Sequence, residues 1–120
     1  MCDARTRKYR AEMFQKQQQR CFYCGFPMWL KRPVRFATRY GIAEADALRF
    51  KCTAEHLDAI CDGGTSRREN IVAACRWCNQ HRHQFPVAPK PHRYLRGIQK
   101  QIARGTWHPH RLHKMLALAA

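Results

Sequence analysis

Hydrophobic residues recur at helical spacing near both ends of the chain and at strand spacing in its middle. Residues 4–20 are dense in strong helix formers, with one narrow apolar stripe formed by Tyr9, Met13 and Phe14. We predict an amphipathic helix there, with its basic face in solvent. A second region of helical spacing, interrupted by glycine and proline, predicts a helical extension over residues 91–118.

The middle of the chain alternates apolar and polar residues. Val34 and Phe36 fit a strand, and a further alternation predicts a strand from about residue 48 to residue 55. Residues 70–74 predict a short buried strand, and the polar, glycine-bearing segment between these two strands predicts a loop. Residues 76–84 contain neither Pro nor Gly, so we expect a helix there.

Length and charge narrow the classes of function. A chain of 120 residues is expected to form a single domain, residues 1–120. Its net charge of +15, with only eight carboxylates, favours a polyanionic partner, and nucleic acid is the first candidate. No apolar run approaches the length of a membrane span, and no signal peptide is recognisable, so no membrane partner is expected. Seven cysteines, an odd number, argue against a fully paired secreted framework and favour a cytoplasmic location.

Two Cys-x2-Cys motifs predict a structural zinc site. Two residues between thiols allow both to reach one tetrahedral ion, and four thiolates leave no open position for catalysis. A redox-active Cys-x-x-Cys motif is the alternative, but such a site would not need two motifs. Cys52 is expected to be an inward-facing core thiol, and Cys2 and Cys61 have no companion at ligand spacing. The predicted zinc ligands are Cys21, Cys24, Cys75 and Cys78.

An acid next to a histidine, Glu55-His56, lies where the strand predicted over residues 48–55 gives way to the loop. Asn79 and His83 are four residues apart, and therefore lie on one face of the downstream helix. With Glu55 they offer a carboxylate oxygen, an amide oxygen and an imidazole nitrogen to a single divalent cation. Such a set suits Mg²⁺ or Mn²⁺, and its imidazole admits Ni²⁺, Co²⁺ or Zn²⁺. His56 is then available to take a proton from water, whereas His81 is expected to face away from Asn79.

These elements, in this order, resemble the HNH endonuclease family. The resemblance rests on Glu55-His56, on the two glycines at 63 and 64, on the Asn-Ile-Val that begins at Asn70, and on the second Cys-x2-Cys followed by Asn79. The zinc-ribbon branch of that family also has an upstream Cys-x2-Cys-Gly, matched here at residues 21–25. The resemblance implies an α+β fold class. Its ββα-metal (His-Me finger) core, at residues 21–85, would be braced by the four-cysteine zinc site and flanked by N- and C-terminal helices.

The resemblance also implies a role for each site residue. His56 would be the general base, Glu55 and Asn79 would hold the catalytic cation, and His83 would be a further ligand. Asn70 would fix the loop and so aim His56. The family's cation binds a phosphate oxygen and the leaving 3′ oxygen. Position 55 departs from the family pattern, because Glu stands where Asp or His is commoner.

Basic residues supply an approach surface for double-stranded DNA. No second DNA-reading module is recognisable, so we expect nicking or weakly specific cleavage, or a protein partner that supplies the target. The alternative is a non-catalytic zinc-ribbon protein that binds nucleic acid through charge alone, for which Glu55 and His56 would be unnecessary. The residues expected to contact nucleic acid are Arg67, Arg68, Arg76, Arg82, Arg93, Arg96 and Lys100.

Overall fold

The computed structural model describes residues 3–60 and 63–119, a mixed α+β fold with one two-stranded antiparallel sheet. No helix in this part of the chain is long and apolar enough to cross a membrane. Cys2 and Cys61, which the sequence left without a companion, lie outside the described residues. In chain order the elements are α1 (Ala4–Lys16), α2 (Pro33–Tyr40), α3 (Glu44–Ala47), a 3-10 turn (Leu48–Phe50), β1 (Cys52–His56), a 3-10 turn (Arg68–Asn70), β2 (Ile71–Cys75), α4 (Arg76–Arg82), α5 (Pro91–Ala103), a 3-10 turn (His110–Leu112) and α6 (Lys114–Leu118).

The sheet and the helix that follows it form a ββα unit. β1 pairs with β2 so that Cys52 faces Cys75 and His56 faces Ile71. Every residue of β2 is buried. The strand predicted from about residue 48 begins only at Cys52 in the structure, because residues 48–50 form a 3-10 turn. The observed order agrees with the α+β class and the ββα core that the resemblance implied.

Helix α1 packs across the sheet. The side chain of Asp3 caps its first turn by accepting a hydrogen bond from the Thr6 amide at 2.7 Å. The helix ends at Lys16, four residues before the predicted end. The Gln17 side chain then donates to the Ala73 carbonyl at 2.8 Å and accepts from the Ala73 amide at 3.0 Å. These two bonds tie the end of α1 to β2.

The strand predicted around Val34 and Phe36 is wrong, because this segment forms helix α2. Pro33 begins the helix and Gly41 ends it in the left-handed conformation, with φ of 62°. Phe36, Ala37 and Tyr40 are its buried residues, at helical spacing.

The C-terminal helices complete the core next to the zinc-motif cysteines. Ile98 of α5 and Met115 of α6 are buried. The Tyr94 hydroxyl donates to the Cys78 carbonyl at 2.6 Å, and the Gln99 side chain donates to the Tyr23 carbonyl at 2.6 Å. Helix α5 is thereby fixed against both Cys-x2-Cys segments.

Candidate functional site

The four cysteines of the two Cys-x2-Cys motifs form one buried cluster, with their Sγ atoms all within 4.8 Å of one another. The Cys75 amide donates to Cys21 Sγ at 3.2 Å, and Trp107 Nε1 donates to Cys78 Sγ at 3.3 Å. Burial raises the pKa of the Cys24 and Cys78 thiols well above the usual range, whereas hydrogen bonds from the other three cysteines outweigh burial and lower the pKa of Cys21. A cation is therefore needed for all four to be thiolates together. Four convergent sulfur donors with amide donors around them fit a tetrahedral Zn²⁺.

The cysteine cluster also fixes where helix α4 begins. Cys75 is its N-cap residue, and Cys75 Sγ accepts a hydrogen bond from the Cys78 amide at 3.4 Å. Gly25 has a φ of 73°, which lets the upstream Cys-x2-Cys turn tightly around its own thiols. Because Asn79 directly follows Cys78 in α4, the cluster determines where Asn79 lies relative to the sheet.

Three of the residues predicted to act as base or cation ligands line a cavity of about 860 Å³ that is bordered by α1 and the ββα unit: His56, Asn79 and His83. Glu55 is 1% exposed and does not line it. Its carboxylate reaches the cavity through His83, whose Nε2 lies 2.9 Å from Glu55 Oε1. The structure therefore brings all four predicted residues of the catalytic centre to one region.

His56 lies at the end of β1 and is partly buried. Its Nε2 lies 3.2 Å from Ser66 Oγ. Burial lowers the pKa of His56, nearby Glu55 raises it and nearby His83 lowers it further, with a net result below the usual value of 6.5. The imidazole is thus neutral at neutral pH, which is the form that can accept a proton.

Asn70 holds the loop that follows His56. Its side-chain nitrogen donates to the carbonyls of Asp58 at 3.0 Å and Thr65 at 2.6 Å, and its oxygen accepts from the Asp58 amide at 2.8 Å. Its backbone carbonyl accepts from the Leu57 amide at 2.9 Å. These four bonds fix the backbone immediately after His56.

Gly64 is required by the same loop. A Cβ at this position would collide with the backbone carbonyl of Asp58. Glycine alone allows the loop to fold back this closely on the residues after β1.

The carboxylate of Glu55 is held by three side chains. Oε2 accepts from the Tyr23 hydroxyl at 3.2 Å and lies 3.2 Å from Arg82 Nη1, while Oε1 faces His83. The 2.9 Å between Glu55 Oε1 and His83 Nε2 matches two adjacent ligands of one cation with bonds of about 2.1 Å. Asn79 donates through Nδ2 to Thr53 Oγ1 and the Ala54 carbonyl, which leaves Oδ1 for a ligand. The three side chains together supply a carboxylate oxygen, an imidazole nitrogen and an amide oxygen.

His81 does not belong to this cavity. Its Nδ1 lies 2.8 Å from the Trp77 carbonyl, and its ring packs against the Trp77 ring at a centroid distance of 3.9 Å. This agrees with the expectation that His81 faces away from Asn79.

The predicted nucleic-acid contacts divide by location. Arg82 was predicted wrongly, since it is 2% exposed and its guanidinium is bonded to acceptors of the protein itself. Arg76 lines the cavity. The remaining predicted contacts are exposed away from it: Arg67 and Arg68 before β2, and Arg93, Arg96 and Lys100 on α5.

Sequence analysis missed several residues that line the cavity. Lys51 and Ser66 were not singled out, and Arg10 was expected only as part of a basic helix face. Lys51 directly precedes β1, the strand that carries Glu55 and His56, and this nearness in sequence could have indicated that it borders the site. Ser66 approaches His56 only through the folding of the loop, for which the sequence carries no pattern.

Neither the search of curated proteins nor that of solved structures gave a match. The family model described as HNH endonuclease matches residues 45–85. The matched segment contains β1, β2 and α4, and with them the five residues predicted as catalytic or as ligands of the catalytic cation: Glu55, His56, Asn70, Asn79 and His83. The resemblance to the HNH endonuclease family is therefore confirmed over residues 45–85 of this chain.

Proposed function

We propose that the protein is a metal-dependent DNA endonuclease that hydrolyses phosphodiester bonds, with His56 as the general base. The observation that carries this proposal is the meeting of His56, Asn79 and His83 in one cavity, where burial lowers the pKa of His56. A charge-only DNA-binding protein has no need of a base beside an oxygen and nitrogen donor set.

Each residue of the site has a chemical task in this proposal. His56 takes the proton of the attacking water, while Ser66 and the loop fixed by Asn70 hold its ring in place. Glu55, Asn79 and His83 would hold the catalytic cation, either Mg²⁺ or another divalent ion such as Mn²⁺ or Ni²⁺. When bound, that cation offsets negative charge on the phosphate and the leaving 3′ oxygen. The structural zinc supplies no chemistry, because its four ligands close the site.

The positive charge of the cavity and of the whole chain indicates the class of substrate. Lys51, Arg76 and Arg10 line the same cavity as His56, so a phosphate backbone that enters it meets three cations. With a net charge of +15 on the chain, we propose double-stranded DNA as the substrate and little sequence readout. We also propose that a protein partner directs the nuclease to its target, and that the protein is cytoplasmic.

A supercoiled plasmid tests the activity. We expect the wild-type protein to convert it to nicked or linear DNA when Mg²⁺ or Mn²⁺ is added to zinc-loaded protein, and to leave it intact without added cation. A protein that binds the plasmid but never cuts it, under any of the cations named, would be a non-catalytic zinc-ribbon binder. Cleavage that does not depend on a divalent cation would remove the cation from the proposal.

The cavity cations are expected to set DNA affinity. Lys51→Gln should weaken binding and reduce the slope of log affinity against log salt by about 1, since one phosphate contact is lost. Lys31→Gln is the matched control, because Lys31 is also exposed but borders a separate groove beside Trp29 and Phe36. Fluorescence anisotropy over a salt series measures both slopes, and equal slopes for the two variants would contradict a phosphate contact at Lys51.

The cleavage rate should also report the lowered pKa of His56. Because burial depresses that pKa below 6.5, the imidazole stays neutral as the pH falls to 6.5 and becomes protonated only below it. We therefore expect the acid limb of kcat/KM to have its midpoint below pH 6.5. A midpoint above pH 6.5 would mean that another group, or a differently placed His56, controls the reaction.

A further inference from the structure

Arg82 is one of four polar or charged residues that are buried in the described part of the chain, with 2% of its surface exposed. It lies in the last turn of α4, next to His83, and its side chain turns back into the protein. Its guanidinium contacts two separate segments, the end of β1 with the residue after it and the linker that follows α4.

The first set of contacts is with the end of β1. Nη1 donates to the His56 carbonyl at 3.0 Å, and Nη2 donates to the Leu57 carbonyl at 2.8 Å. Both carbonyls belong to the segment that carries the candidate base. The planar guanidinium can serve two neighbouring acceptors at fixed angles, whereas a lysine ammonium cannot reproduce that geometry.

The second set joins the carboxylate and the linker after α4. Nη1 lies 3.2 Å from Glu55 Oε2, and Nε donates to the Pro89 carbonyl at 3.0 Å. The contact with Oε2, shared with the Tyr23 hydroxyl, leaves Oε1 of Glu55 directed at His83. One side chain therefore holds the carboxylate of the cation-binding set and the backbone of the base.

We propose that Arg82 is a positioning residue, which sets His56 relative to the Glu55–His83 pair without touching the substrate. In its catalytic part this inference rests on the proposed nuclease function. Burial distinguishes the two arginines of α4. Arg76 is exposed in the cavity, where a substrate phosphate can reach it, whereas Arg82 is enclosed by its acceptors. Neutralising Arg82 also leaves the buried carboxylate of Glu55 without its counter-charge, so a neutral variant is expected to be strongly destabilised.

The test uses Arg82→Lys, which retains the positive charge beside Glu55 but loses the planar guanidinium that donates to the His56 and Leu57 carbonyls. Arg39→Lys, on the exposed face of α2, is the matched control. Under conditions where melting curves show both variants folded, we expect Arg82→Lys to slow single-turnover cleavage by about 10-fold to 100-fold at saturating protein, with DNA affinity unchanged. A residue that only stabilises the fold would lower the melting temperature and leave the rate of the folded protein intact.

A second readout does not need activity. The amides of Leu57 and Asp58 donate to Asn70, so their hydrogen exchange reports how firmly the backbone after His56 is held. We expect faster exchange at both amides in Arg82→Lys and no change in Arg39→Lys. Wild-type rates and wild-type exchange in Arg82→Lys would overturn the inference, as would a loss of DNA affinity with an unchanged rate. If wild-type protein cuts no DNA, the proposed function fails, while the exchange experiment still decides whether Arg82 holds this backbone.

Discussion

His56→Ala is expected to abolish most cleavage while leaving DNA binding intact. His56 is the candidate general base, and the loss of a positioned base typically lowers the rate by about 100-fold to 10,000-fold. Its side chain makes one hydrogen bond within the described residues, to Ser66 Oγ, so its removal should disturb the fold little. Single-turnover rates on a short labelled duplex at saturating protein separate the chemical step from binding.

His92→Ala is the matched control for this variant. His92 is exposed on α5 and does not line the cavity, so its removal should leave the rate unchanged. Equal rates for wild-type protein and His56→Ala would show that His56 is not the base. A variant that lost binding along with cleavage would instead assign His56 to substrate recognition.

Cys75→Ser is expected to release the structural zinc and to remove the cooperative folding transition. Structural Zn²⁺ in small domains binds with about 10–16 kcal/mol, as much as the whole stability of most domains. Cys75 also caps α4 and pairs with Cys52 across the sheet, so its loss affects the ββα unit directly. Metal analysis of the purified protein and a thermal melt measure the two effects.

Cys52→Ser gives the comparison. Cys52 is buried, and burial raises its pKa to about 12, but it is not one of the four clustered cysteines. Its replacement should cost about 1–3 kcal/mol for the buried hydroxyl and leave the zinc content unchanged. A Cys75→Ser protein with full zinc content and a wild-type melting curve would contradict the structural zinc site.

The ββα unit could be predicted because its signals are local. An apolar run from Ile71 to Ala74 and a helix without Pro or Gly after Cys75 have few other conformations available. The error at α2 arose because Val34 and Phe36 are two residues apart, as in a strand, whereas Phe36, Ala37 and Tyr40 are spaced as on one face of a helix. There the boundaries, Pro33 and Gly41, were the better evidence.

The position of Arg82 could not be predicted from local pattern, since its burial depends on contacts with residues 25 or more positions away. A charged residue in the last turn of a basic helix is usually exposed. The burial of Glu55 was not indicated either, because in a strand Glu55 lies on the same face as Thr53 and not on the face of Cys52 and Ala54. A buried carboxylate requires a counter-charge. The sequence did not indicate which of the many arginines would supply it.

In the proposed reaction, water in the cavity beside His56 attacks a DNA phosphate. Cleavage of a duplex in water labelled with heavy oxygen tests it most directly, with the products analysed by mass spectrometry. Cleavage of the bond to the leaving 3′ oxygen predicts one labelled oxygen on the 5′-phosphate end of the product and none on the 3′-hydroxyl end. Product phosphates that carry no label from the water would show that water is not the nucleophile.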